Sequence, residues 1–169
     1  AALDCRVAFG SSQLRSICSE MVRVDFYRLT RDPVERVLPA IATRILGAGD
    51  RLLIVAAPAM QRQAIDEALW ALTPVSFLPH GAAGSPDEDI EPILISGTLD
   101  AAPPNRARLV ALADGEWRDE ALGFVRTFLL FDNSRIDDAR ATWRKLSAAE
   151  EVETHFWKQD DLGRWSEGP

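Results

Sequence analysis

The run "RLLIVAA" at residues 51–57 constrains the chain more than any other stretch, because its apolar residues are consecutive and do not alternate. A strand with one wet face alternates apolar and polar residues. A strand covered on both faces, as in a parallel sheet, reads as a continuous apolar run. Other extended segments flank it: Val22 to Leu29, rich in β-branched and aromatic residues, then "PILIS", "RLVAL", "GFVRTFLLF" and "VETHFWKQ". Helical patterns lie between them. Asp32 is expected to cap a helix with Pro33 in its first turn and Val34, Val37, Leu38, Ile41 and Ile45 on one face, interrupted by Pro39 and closed by Gly47 and Gly49. A second helix is expected from about Pro58 to Leu72, and a third from about Ser134 to Leu146. Alternating strands and helices predict a single α/β domain, with a mostly parallel sheet and helices on both faces, Rossmann-like in outline.

The chain has 169 residues, 47% of them hydrophobic, which suits one domain with a sizeable core. Its formal charge is -7, so no chain-wide positive field exists to hold a phosphate backbone, and direct duplex binding is not expected. No apolar run approaches the roughly 20 residues of a membrane span. A soluble, cytoplasmic protein without a membrane partner is the expectation. Both cysteines, Cys5 and Cys18, fall within residues 1–20, a stretch with neither helical nor strand period ahead of Met21. Those residues read as a non-native or disordered N-terminal extension, leaving 21–169 as the domain. No cofactor or metal is expected. The histidines, His80 and His155, are far apart and lack a second ligand at metal spacing. The glycine stretches 47–50 and 81–85 lack the strand–turn–helix setting of a phosphate loop. Paired acid and base residues are not evident, although a small nucleotide-dependent enzyme on a doubly wound α/β scaffold is the competing reading.

Two aromatic settings carry the functional reading. On the second helix, Ala68, Leu69 and Leu72 lie within about 60° of Ile65, whereas Trp70 falls about 140° away among polar residues. Trp70 either folds back onto Phe77 or Pro79, or offers a partner an exposed indole, the side chain most enriched in interface hot spots. On the third helix, Ile136, Ala139, Trp143 and Leu146 share the apolar side, with Arg140 and Arg144 along its edge. Such arginines can snorkel along apolar surface and pair with neighbouring acids. A guanidinium beside an indole can also capture a carboxylate attached to an apolar residue, since the fork binds two oxygens while the ring packs on the side chain.

The segments "DFYRL", "LLIVA", "DEALWALTPVSFLPHG", "DDARATWRKL" and "HFWKQDDLGRW" together resemble the chi subunit family of the bacterial DNA polymerase III clamp-loader complex. The resemblance spans roughly residues 21–165, with 66–80 its most specific block. It implies an α/β fold without a catalytic site. It also implies binding to the C-terminal tail of single-stranded DNA-binding protein and, in some bacteria, to the psi subunit. By the same resemblance, Arg140, Trp143 and Arg144 form the tail pocket with Leu129 as a nearby apolar wall. Trp70 and Phe77 form the face for psi or an alternative helicase partner. One departure stands out: a family lysine one turn before Arg140 is Ile136 here, which implies a thinner basic pocket.

Overall fold

The computed structural model describes residues 21–71, 78–160 and 162–168. Its strands form one eight-stranded sheet in the order β3-β4-β2-β5-β6-β1-β7-β8. In chain order the elements are β1 (Val22–Arg28), α1 (Val34–Gly47), β2 (Leu52–Val55), α2 (Ala59–Trp70), β3 (His80–Ala82), β4 (Ile93–Ser96), β5 (Leu109–Leu112), β6 (Arg126–Phe131), α3 (Ile136–Ser147), β7 (Val152–Gln159) and β8 (Trp165–Glu167). Every pairing is parallel except that of β7 with β8. The apolar run at 52–55 is buried throughout, between β4 and β5. Its alternate residues feed opposite faces: Leu52 and Ile54 pack with α1 and α2, Leu53 and Val55 with α3. Both faces of the sheet are therefore covered, as the sequence predicts, and β2 needs no polar face. No helix among the described residues is long and apolar enough to cross a membrane.

Several local expectations are corrected. Asp32 does not cap α1; Pro33 occupies the cap position with extended backbone, and no side chain bonds the first turn. The Asp32 carboxylate instead accepts from Gln159 Nε2 at 2.6 Å, a contact that ties the α1 entry to the end of β7. Pro39 lies on the buried side of α1 without ending it. The helix closes where Gly49 takes φ +82, a left-handed conformation easy only for glycine, which lets the Asp50 N–H reach the Ile45 carbonyl at 3.1 Å. Strands β3 and β8 have no counterpart in the sequence reading, each being three residues at a sheet edge. The polar stretch after β5 contains a short 3₁₀ turn, Asp119–Gly123, that inserts Ala121 into the α3 face. Residues 1–20 lie outside the described residues, as does Phe77.

The pairing that positions the candidate site is β1 between β6 and β7. It aligns Phe26 with Leu129 and Phe156, and Arg28 with Phe131 and Lys158. On the opposite face the same three strands converge on Asp25, which is fully buried. Its carboxylate accepts from Arg23 on β1 (2.9 Å), Arg126 on β6 (2.6 Å) and the Trp157 indole on β7 (2.9 Å). Burial pushes the Asp25 carboxyl up, but the hydrogen bonds from Arg23, Arg126 and Trp157 outweigh it and hold the group below the ordinary carboxylate range.

Candidate docking hollow between α3 and the end of β7

Helix α3 is set by what precedes it. The Asp132 carboxylate accepts the Ser134 N–H at 2.9 Å, starting a 3₁₀ turn at Asn133–Arg135 that passes directly into the helix. Acids in the first turn (Asp137, Asp138) and cations in the last (Arg144, Lys145) complement the helix dipole. Ala139 and Leu146 are buried against the sheet. Trp143 lies between them in a nest of rings, edge-on to Phe26 at 5.1 Å and to Phe156 at 6.0 Å, with Phe131 6.3 Å from Phe156. Such edge-to-face arrangements fix ring orientation beyond simple burial.

Where α3 parts from β7 a hollow of about 310 Å³ opens. Phe131, Trp143 and Phe156 floor it, Ile136 and Ala139 form one wall, and three cations, Arg28, Arg140 and Lys158, complete the lining. No carboxylate lines it, in a chain of formal charge -7. Arg140 touches Asp137 at 3.4 Å, with both side chains largely in water (63% and 93% exposed), a pairing worth little and easily given up. Arg28 donates through Nε and Nη2 to the neutral Asn133 Oδ1 at 3.1 and 3.0 Å, so it is oriented without being neutralised. Apolar floor and cationic surround suit a carboxylate attached to a large apolar side chain.

The residues expected from the sequence separate here. Arg140 and Trp143 meet in the hollow. Arg144 is exposed on the same helix but does not line it. Leu129 is 1% exposed and borders a different depression, on the other flank of α3 beside Trp117. Arg28, Phe131, Phe156 and Lys158 were not singled out by the sequence. Their only signal is the strand alternation that puts Arg28 two residues after Phe26 and Lys158 two after Phe156.

The second aromatic setting lies on the other face of the sheet and toward its opposite edge. Ile65 and Leu69 bury α2, while Trp70 is 53% exposed. Its ring meets His80 of β3 edge-on at 5.3 Å. The His80 side chain is itself buried, with Nδ1 donating to the Leu78 carbonyl at 2.6 Å and Nε2 3.0 Å from the Asp66 carboxylate. Trp70 is thus a braced, half-exposed indole.

A crevice of about 450 Å³ at the carboxyl ends of β1, β5 and β6 occupies the position where nucleotide-binding α/β proteins hold their ligand. Four carboxylates, Asp32, Glu35, Asp114 and Asp132, line it, together with two arginines, Arg31 and Arg135. Asp114 is committed to the Ala57 N–H at 2.9 Å and to Arg118 at 2.7 Å. Burial pushes its carboxyl up, and the Arg118 and backbone hydrogen bonds bring it below the ordinary range. With four carboxylates against two arginines in its lining, the crevice has an acidic balance that does not favour phosphate, which counts against the nucleotide-dependent reading.

Comparison with known proteins agrees with the resemblance carried by the sequence segments. Residues 21–153 match the family model described as DNA polymerase III chi subunit, HolC. The chain belongs to the DNA polymerase III chi subunit family. A curated relative, DNA polymerase III subunit chi of Escherichia coli (strain K12), is 28% identical over 148 residues, covering 82% of this chain and all of the relative. The chi match includes both aromatic settings' helices, while Phe156 and Lys158 lie just beyond its end at residue 153.

Proposed function

We propose that the protein is a non-catalytic accessory subunit of the replicative DNA polymerase III, joining the clamp-loader complex to single-stranded DNA-binding protein by gripping that protein's acidic C-terminal tail. The observation that carries this reading is the hollow between α3 and β7, with its aromatic floor, three cations and no carboxylate in the lining. The terminal phenylalanine packs on Trp143 and Phe156, and its carboxylate bonds the Arg140 guanidinium in place of the weak Asp137 contact. Contact with DNA is indirect, through the bound partner, which agrees with the acidic balance of the chain.

Trp70 serves as the opposite docking point, for a psi subunit or an alternative helicase partner, with Phe77 contributing from the neighbouring segment. Placing the two contacts on opposite faces lets both partners bind at once, as a linker requires. A pull-down tests the tail reading: the protein should capture intact single-stranded DNA-binding protein and fail to capture a form lacking its acidic C-terminal tail. Equal capture of both forms would remove the tail from the account.

A further inference from the structure

We infer that Arg28 and Lys158, at the adjoining ends of β1 and β7, form a second cationic arm that holds the acidic side chains preceding the terminal residue of the docked peptide. The inference rests on the tail-docking reading and adds residues and a direction to it. Arg28 and Lys158 are register partners on neighbouring strands, about 4.8 Å apart in a sheet, so their charges reinforce one another at one end of the hollow. Several cations of this acidic chain meet carboxylates closely, Arg118 with Asp114 at 2.7 Å, Lys145 with Asp119 at 2.8 Å and Arg164 with Asp160 at 2.9 Å, and others, such as Arg51 and Arg62, bond backbone carbonyls. This pair does neither. Arg28 is held by a neutral amide, and the exposed Lys158 ammonium has no hydrogen-bond or ion-pair partner among the described residues.

Two like charges kept side by side without a carboxylate cost free energy that an anionic ligand recovers. Arg28 is also pre-oriented, which reduces the entropy lost on binding. Ile136, on the wall beside Arg140, keeps that end apolar and suited to the terminal ring. The peptide therefore enters over the strand ends, its acidic residues on Arg28 and Lys158, and finishes at Arg140. The hollow is no poorer in charge for having Ile136; the sheet supplies the cations.

The test is a calorimetric titration of the full chain with two peptides, one with an acidic stretch ending in phenylalanine and one with those acidic side chains converted to amides but its terminal carboxylate kept. Wild type should bind the acidic peptide roughly tenfold more tightly than the amide peptide. The double variant Arg28→Gln, Lys158→Gln should lose about that factor with the acidic peptide and bind both peptides alike, the coupling that identifies direct contact. Both positions are at least partly solvent-exposed, and a circular dichroism melt confirms folding. A double variant that still prefers the acidic peptide as strongly as wild type overturns the inference while leaving tail docking intact. Absence of binding by wild type to either peptide overturns the tail reading and this inference with it. Displacement of the acidic peptide by an equimolar single-stranded oligonucleotide would overturn it in favour of phosphate binding.

Discussion

Substituting Asp25→Asn tests how the sheet holds the docking hollow open. The carboxylate is fully buried and receives Arg23, Arg126 and the Trp157 indole, one from each of three neighbouring strands. An asparagine of the same shape leaves two guanidinium groups facing a neutral amide, one arm of which is itself a donor. Removing one partner of a buried ion pair costs about 3 to 5 kcal/mol. Arg23 and Arg126 remain 33% exposed and recover part of their hydration, which lowers the expectation to about 2 to 3 kcal/mol. Urea unfolding followed by circular dichroism should show the midpoint fall with little change in slope.

The effect should also depend on pH. Because the folded carboxyl is held below its ordinary value, the unfolded chain takes up the proton first as pH falls. The contribution of Asp25 is therefore complete above the unfolded value near 3.8 and is lost as pH falls through the folded value. Trp157 anchors the far face of β7, whose near face carries Phe156 and Lys158, so the variant should also bind the acidic peptide more weakly. A loss of under about 0.5 kcal/mol at neutral pH, the range of ordinary surface substitutions, would refute the assignment of Asp25 as the clamp joining β1, β6 and β7.

Trp70→Ala should change stability by less than about 1 kcal/mol, since the ring is half exposed, yet it should abolish capture of psi or of the partner that uses this face. Denaturation midpoints and a pull-down check the two halves, and a large loss of stability would make Trp70 a packing residue. His155 pairs with Glu167 of β8 and Glu153 of β7, and these carboxylates, Glu167 foremost, raise its pKa. Its stabilising contribution is complete below the unfolded value near 6.5 and is lost as pH rises through the folded value; an NMR titration should place the His155 midpoint above 6.5 and closer to it in Glu167→Gln.

Much of the fold is legible because its central strands are buried on both faces and so carry runs such as "LLIV" that few other environments tolerate. The edges are not: β3 and β8 are too short to show a period, and their pairing depends on neighbours distant in sequence. Asp32 looks like a cap because aspartate before proline often is one, yet Gln159, 127 positions away, claims its carboxylate. The same division runs through the hollow. Arg140 and Trp143 are one helical turn apart, so a wheel brings them together. Arg28 and Lys158 meet only through the parallel pairing of β1 with β7, a register that neither strand specifies alone. Trp70 is legible as an off-core residue by the same wheel that puts Trp143 on the apolar side of α3, since α2 has a clear buried face in Ile65 and Leu69.

The central claim, that the hollow between α3 and β7 receives an acidic peptide by its terminal carboxylate, is tested most directly by titrating the phenylalanine-terminated peptide into wild type and Arg140→Glu. Arg140 is 63% exposed, so the variant should fold as wild type does. Reversal removes a charge-assisted hydrogen bond and adds repulsion, which should weaken binding by about 2 to 3 kcal/mol, and added salt should weaken the wild-type complex. Undiminished binding by a folded Arg140→Glu protein would contradict the account and move the docking site elsewhere.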